Sequence, residues 1–85
     1  MRILLAEDDA VSRRLLQAVL QQWGYEVVVA RDGAEAWAVL CETDPPSLAI
    51  LDWVMPVLDG IDVCRRLRAD TDRPYVYTIL LTGRS

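Results

Sequence analysis

The chain has 85 residues, enough for one domain with a thin core, since a chain of this size buries only about 60% of its unfolded surface. Its 13 acidic residues outnumber nine basic ones, all arginine, and the net charge is −4. This balance argues against direct nucleic-acid binding, which needs a basic surface. No apolar run approaches the roughly 18 residues of a membrane-spanning helix, and no signal peptide is visible. We therefore expect a cytoplasmic protein without membrane contact.

The two cysteines, Cys41 and Cys64, fall on apolar stripes of predicted helices. Buried free thiols in a reducing compartment are the simplest interpretation, although the sequence leaves a disulfide between them open. A zinc site is disfavoured because two separated cysteines without any histidine supply too few ligands.

The first half of the chain alternates strand and helix. The apolar run Arg2–Ala6 predicts a strand, and three acids follow it at residues 7–9. Helix one is predicted over Ala10–Trp23, with Asp9 as its cap and Gly24 at its end. Its predicted buried stripe consists of Val11, Leu15, Leu16, Val19, Leu20 and Trp23. A second strand, Tyr25–Ala30, leads to a second helix capped by Asp32.

The second half repeats this alternation around a carboxylate. An apolar run, Leu48–Leu51, predicts a strand buried on both faces, and it stops at Asp52. After a loop containing Pro56, Asp59 caps a third helix that extends to about residue 69, with Ile61, Cys64 and Leu67 facing the sheet. The fourth predicted strand, Tyr75–Leu81, ends at Thr82.

This order predicts an α/β fold, with a doubly wound parallel sheet and helices on both faces. In such a sheet the first and third strands lie side by side, so their carboxyl ends bring Asp8 and Asp52 together. Crowded carboxylates repel one another unless a divalent cation lies between them, and oxygen ligands in an open site suit Mg²⁺. Asp52 is then a plausible carboxylate nucleophile for a phosphoryl group, and Thr82 offers a hydroxyl to a phosphoryl oxygen.

These segments resemble the response-regulator receiver domains of two-component signalling. The resemblance lies in Ile-Leu-Leu-Ala-Glu-Asp-Asp near the start, Gly-Tyr-Glu-Val followed by Asp-Gly-Ala-Glu-Ala around the second strand, Leu-Asp-Trp-Val-Met-Pro-Val-Leu-Asp-Gly in the middle and Leu-Leu-Thr-Gly near the end. It implies a flavodoxin-like receiver topology with strand order 2-1-3-4. It also implies a phosphoacceptor domain that takes a phosphoryl group from a sensor histidine kinase or phosphotransfer protein, with Mg²⁺ as cofactor. Such a domain is not a turnover enzyme on an external substrate.

Roles follow from the resemblance residue by residue. Asp52 resembles the phosphoacceptor, Asp8 the direct metal ligand and Glu7 the second acid of the pocket. The backbone carbonyl of Val54 resembles a further metal ligand. Thr82 resembles the hydroxyl that moves towards the phosphoryl group, and Pro56 and Gly60 shape the adjacent loop.

The sequence departs from the family pattern at its end. A complete receiver domain continues with a fourth helix, a fifth strand and a fifth helix, and it carries a lysine that pairs with the phosphoryl group. This sequence ends before those elements and contains no lysine. We therefore expect residues 1–85 to be the N-terminal portion of a receiver domain. Three alternatives stay open: the gene product continues beyond Ser85, the chain is a fragment, or it is a natural short form.

Ending there would leave the fourth strand at an edge of the sheet, and exposed apolar edges invite pairing with another chain. We therefore predict self-association through this strand. The alternative function is a non-catalytic interaction or dimerisation module derived from a truncated receiver domain.

Three other interpretations fit the sequence less well. An aspartate-nucleophile phosphatase would have an acid at residue 54, where this chain has valine. A flavin-binding protein of the same topology would need a glycine- and hydroxyl-rich first loop, which here is acidic. In the third, Glu7, Asp8 and Asp52 are merely exposed acids at strand ends.

Overall fold

The computed structural model describes residues 1–70 and 72–81. Its seven elements alternate as the sequence predicts: β1 (Arg2–Ala6), α1 (Ala10–Gln22), β2 (Glu26–Ala30), α2 (Gly33–Leu40), β3 (Leu48–Asp52), α3 (Gly60–Ala69) and β4 (Tyr77–Leu81). The four strands form one parallel sheet in the order β2-β1-β3-β4. The predicted α/β class and the 2-1-3-4 topology are therefore confirmed. Within the described residues, no helix is both long and apolar enough to traverse a bilayer.

The reversal in strand order decides which face each helix covers. The step from β1 to β2 runs in one direction, and the steps to β3 and β4 run in the other. With right-handed crossovers, α1 must lie on one face of the sheet, and α2 and α3 on the opposite face. The switch between the two directions lies between β1 and β3, so a crevice opens at the carboxyl ends of these two strands.

The main core lies on the face covered by α2 and α3. Alternate strand residues point into it, because side chains alternate between the faces of a strand. Its buried members are Leu4, Ala6, Ala30, Ala36, Leu40, Ala49, Leu51, Met55, Val63, Leu67 and Val76. Val63, which the sequence analysis did not predict, is the fully buried side chain of α3 beside Leu67. Of the predicted residues, Cys64 is half-buried and packs against the core, and Ile61 is half-buried.

The predicted buried stripe of α1 is largely wrong. Leu20 is the buried residue of α1, whereas Val11, Leu15 and Trp23 are 67%, 64% and 70% exposed. The reason is that α1 packs on β1 and β2, and no other helix of the described residues covers the rest of that face of the sheet.

The open part of that face lies on β4. Tyr77 and Ile79 pair in register with Leu48 and Ile50 of β3 and are 67% and 48% exposed. An apolar surface therefore extends from α1 to the fourth strand in the part of the molecule that the structure describes.

The cysteine prediction is also partly wrong. Cys41 is exposed, because α2 ends at Leu40 and the thiol lies on the residue that caps it, while Cys64 is half-buried. Both thiols are free.

Candidate functional site

The crevice at the switch between β1 and β3 gathers three carboxylates. Ala6, the last residue of β1, pairs with Leu51 of β3, so Glu7 and Asp52 follow at the same level of the sheet. Asp8 is the next residue along the first loop. One ligand oxygen from each of Glu7, Asp8 and Asp52 lies within 4.8 Å of the others. The structure thus brings together the three acids that the sequence analysis assigned to a metal site.

The three carboxylates differ in exposure. Glu7 is buried, with 8% of its surface exposed, Asp52 is half-buried and Asp8 is exposed. The backbone of Glu7 extends the sheet, because its N–H donates to the Ala30 carbonyl at 3.1 Å. One side of the cluster therefore belongs to the packed interior, and the other side is open to solvent.

Burial and crowding make the charge on Glu7 costly. The pKa of Glu7 is raised from 4.5 to about 7, chiefly by burial and further by hydrogen bonding to and repulsion from the Asp52 carboxylate. The Asp9 N–H donates a hydrogen bond to the Glu7 carboxylate at 3.3 Å, which lowers the pKa of Glu7 but does not offset the rise. The charge on Glu7 is therefore relieved either by a proton, which Glu7 and Asp52 can share through their hydrogen bond, or by a cation bound between the carboxylates.

The first loop is fixed between β1 and α1. Asp9 caps α1 as predicted, accepting a hydrogen bond from the Ser12 N–H at 2.8 Å. Arg13, one turn into the helix, reaches back to the loop, where its Nη1 donates to the Glu7 carbonyl at 2.9 Å. Sequence reasoning missed Arg13. An arginine in the first turn of a helix that follows three acids was the signal that could have revealed it.

The loop after β3 closes the second side of the crevice. The Trp53 N–H donates to the Leu81 carbonyl at 2.8 Å, and the Gly60 N–H donates to the Trp53 carbonyl at 3.0 Å. Met55 is buried in the core and anchors the loop there. Val57 adopts a positive φ of 71°, which is uncommon for a β-branched residue, so this residue carries backbone strain.

Gly60 is required by close packing against this loop. A Cβ at residue 60 would lie 2.5 Å from the carbonyl oxygen of Asp52 and 2.9 Å from Leu80 Cδ2. The first turn of α3 can approach the end of β3 only because this residue lacks a side chain. Asp59 caps the helix, as predicted, and forms a capping box with Asp62.

Two predicted site groups gain no support from these contacts. Thr82 lies outside the described residues. Val54 is 61% exposed in the loop after Asp52, and the assignment of its carbonyl as a ligand stays a prediction.

The donor set fits Mg²⁺. It consists only of carboxylate oxygens, one of them open to solvent, and Mg²⁺ typically takes one or two protein carboxylates and keeps several waters. A softer metal would favour thiolate or imidazole ligands, which are missing from this cluster.

Comparison with known proteins identifies the family. The family described as response regulator receiver domain matches residues 3–85. The chain belongs to this family. The resemblance inferred from the sequence motifs is therefore confirmed.

A curated relative and two solved structures illustrate the similarity. The probable transcriptional regulator ycf27 of Cyanophora paradoxa is 43% identical over 88% of this chain, which spans only 31% of that relative. The response regulator TrrA of Thermotoga maritima, solved in complex with Mg²⁺-BeF, is 36% identical, with a TM-score of 0.86, over 99% of this chain and 70% of that one. The second structure is the receiver domain of the sensor histidine kinase PA1611 from Pseudomonas aeruginosa, solved with a magnesium ion coordinated in its active site cleft. It is 34% identical to this chain, with a TM-score of 0.87, and the match covers 98% of this chain and 67% of that domain.

Proposed function

We propose that this receiver domain accepts a phosphoryl group on Asp52 with Mg²⁺ as cofactor, and that a sensor histidine kinase or phosphotransfer protein supplies the group. The observation that carries the proposal is the clustering of Glu7, Asp8 and Asp52 oxygens within 4.8 Å at the strand ends. Two similar solved receiver proteins hold magnesium, one in its active site cleft. Residues 1–85 would then form the N-terminal portion of the domain.

Each acid has a separate task in this proposal. Asp8 and Asp52 would hold the ion directly, and the buried Glu7 would complete its surroundings, with the Val54 carbonyl as a further predicted ligand. When bound, Mg²⁺ supplies positive charge that offsets the charge of an incoming phosphoryl group.

The chemical step falls to Asp52. A carboxylate oxygen of Asp52 attacks the phosphorus of the donor, the bond between phosphorus and the donor's imidazole nitrogen breaks, and that nitrogen keeps the electron pair. The products are an acyl phosphate on Asp52 and, when the other ring nitrogen of the donor carries a proton, a neutral imidazole. The hydroxyl of Thr82 is the proposed partner of a phosphoryl oxygen. Because the phosphoryl group stays on the protein, the proposed role is that of a switch rather than a turnover enzyme.

Phosphodonor labelling tests this proposal. The protein is incubated with acetyl phosphate and Mg²⁺ and its intact mass is measured. We expect a gain of one phosphoryl group that disappears in Asp52→Asn and without Mg²⁺. Asp59→Asn is the matched control, because Asp59 is an acid of the same loop that caps α3, and it should still be labelled. Labelling of Asp52→Asn would contradict the assignment.

We also propose that the chain self-associates through β4. In the alternative function, this makes it a dimerisation module that acts without phosphoryl transfer. Within residues 1–70 and 72–81, β4 pairs with β3 on one side only, and Tyr77 and Ile79 expose apolar surface next to that edge. Exposed apolar edges favour pairing with another chain. Light scattering over a range of protein concentrations tests this, and a monomer at every concentration would contradict it.

A further inference from the structure

The first loop of the site carries a contact that the proposed function does not use. Arg13 Nη1 donates to the Glu7 carbonyl at 2.9 Å and lies 3.5 Å from the Asp8 carbonyl. Both carbonyls belong to residues whose side chains form the acidic cluster. A single guanidinium nitrogen therefore spans the two consecutive residues that would hold the ion.

We propose that Arg13 is a positioning residue that orders the Glu7–Asp8 backbone, so that the two carboxylates face Asp52. The inference rests on the proposed Mg²⁺ site. It concerns the ordering of the carboxylates before the ion binds, and not the transfer of the phosphoryl group. Arg13 contacts backbone carbonyls of this loop, and its role is to fix where the neighbouring side chains lie.

Other hydrogen bonds also hold the first loop. The Glu7 N–H donates to the Ala30 carbonyl, the Asp9 N–H donates to the Glu7 carboxylate, and the Asp9 carboxylate caps α1 by accepting from the Ser12 N–H. Between these anchors, the carbonyls of Glu7 and Asp8 have Arg13 as their side-chain donor. A charged donor makes a stronger hydrogen bond than a neutral one. Removing it would leave the segment between the anchors freer to turn.

The backbone of Arg13 is fixed by the helix from which its side chain reaches the loop. Arg13 lies in the first turns of α1, where its own N–H donates to the Asp9 carbonyl at 2.9 Å. The side chain therefore returns from a rigid element to the loop that precedes it. Groups that hydrogen-bond metal-ligating side chains typically change metal affinity 10- to 100-fold when they are removed. Arg13 acts on the backbone of the ligand residues instead, so we expect an effect at the lower end of this range.

A purely electrostatic role predicts the opposite sign. A positive charge close to a cation site repels the ion, so its removal should tighten Mg²⁺ binding. A positioning role predicts weaker binding, because the carboxylates lose their fixed geometry. The direction of the change thus distinguishes the two explanations.

The experiment compares four proteins: wild type, Arg13→Met, Arg13→Lys and Arg14→Met. Methionine keeps an apolar stem but removes the donors, and lysine restores one charged donor. Arg14 is the matched control, since it is the next residue of the same helix and is exposed. Mg²⁺ affinity is measured by calorimetry, and hydrogen exchange of residues 7–9 is measured without metal, after circular dichroism has established that each variant is folded.

We expect Arg13→Met to bind Mg²⁺ about tenfold more weakly and to exchange the amide hydrogens of residues 7–9 faster. Arg13→Lys should recover most of the affinity, and Arg14→Met should match wild type in both measurements. Equal or tighter binding by Arg13→Met, or unchanged exchange at residues 7–9, overturns the inference while leaving the proposed function intact. If wild type itself takes up no Mg²⁺, the proposed function is wrong and this inference is wrong with it.

Discussion

The raised pKa of Glu7 predicts an unusual dependence of stability on pH in the metal-free protein. The pKa is about 7 in the folded protein, against an ordinary 4.5. Between these two values the folded state holds a proton that the unfolded state has lost. The free energy of unfolding should therefore fall as the pH rises from about 4.5 to 7, and should level off above 7.

The size of this fall follows from the same values. A pKa difference of one corresponds to about 1.4 kcal/mol, so the change from 4.5 to about 7 amounts to about 3 kcal/mol. The other acids with altered pKa values, Asp9, Glu35 and Asp70, have lowered values because of hydrogen bonds to Ser12, Arg31 and Arg73 respectively. Their stabilising effect is lost only as the pH falls below their ordinary range, so it does not overlap with the effect of Glu7.

Urea unfolding followed by circular dichroism at pH 5 and pH 8, without metal, measures the effect. Wild type should be less stable at pH 8, whereas Glu7→Gln should show little difference between the two pH values. Added Mg²⁺ should restore stability to wild type at pH 8. Glu42→Gln is the control, because Glu42 is a surface acid whose salt bridge with Arg2 is solvent-exposed and contributes little. A wild type as stable at pH 8 as at pH 5, or a Glu7→Gln variant that loses as much stability as wild type between these pH values, would show that Glu7 does not cause the pH dependence.

Three further predictions concern packing, capping and association. Gly60→Ala should lose about 1–3 kcal/mol of stability in urea unfolding, because its Cβ would lie 2.5 Å from the Asp52 carbonyl oxygen; a variant as stable as wild type would argue against this close approach. Asp59→Ala should lose about 1 kcal/mol through the loss of the capping box of α3, and unchanged urea unfolding would show that the cap is dispensable. The proposed self-association through β4 predicts that Ile79→Lys shifts the protein towards monomer in light scattering, because it places a charge on an exposed apolar residue of that strand; an unchanged distribution of species would exclude this surface.

The sequence predicts the fold and the acidic cluster well because both depend on local signals. Strand–helix alternation predicts a parallel sheet. The carboxylates that follow the ends of β1 and β3 must then lie close together at the switch between these two strands. Caps at Asp9, Asp32 and Asp59 were recognisable because each acid precedes an apolar helical repeat.

Other features could not be predicted because they depend on tertiary packing. The periodicity of the sequence shows that α1 has an apolar stripe, but it does not show which part of that stripe packs against the sheet. The predicted burial of Val11 and Leu15 is wrong for this reason. The contact of Arg13 with the Glu7 carbonyl depends on a side-chain conformation that no spacing reveals.

The most direct test of the account is a calorimetric titration of the folded, metal-free protein with Mg²⁺ at neutral pH. The close approach of Glu7, Asp8 and Asp52 predicts saturable binding of one ion. It also predicts proton release, because the pKa of Glu7 is about 7. Asp8→Asn should bind much more weakly. Heats that never saturate, or identical binding by wild type and Asp8→Asn, would contradict the claim that these carboxylates form a magnesium site.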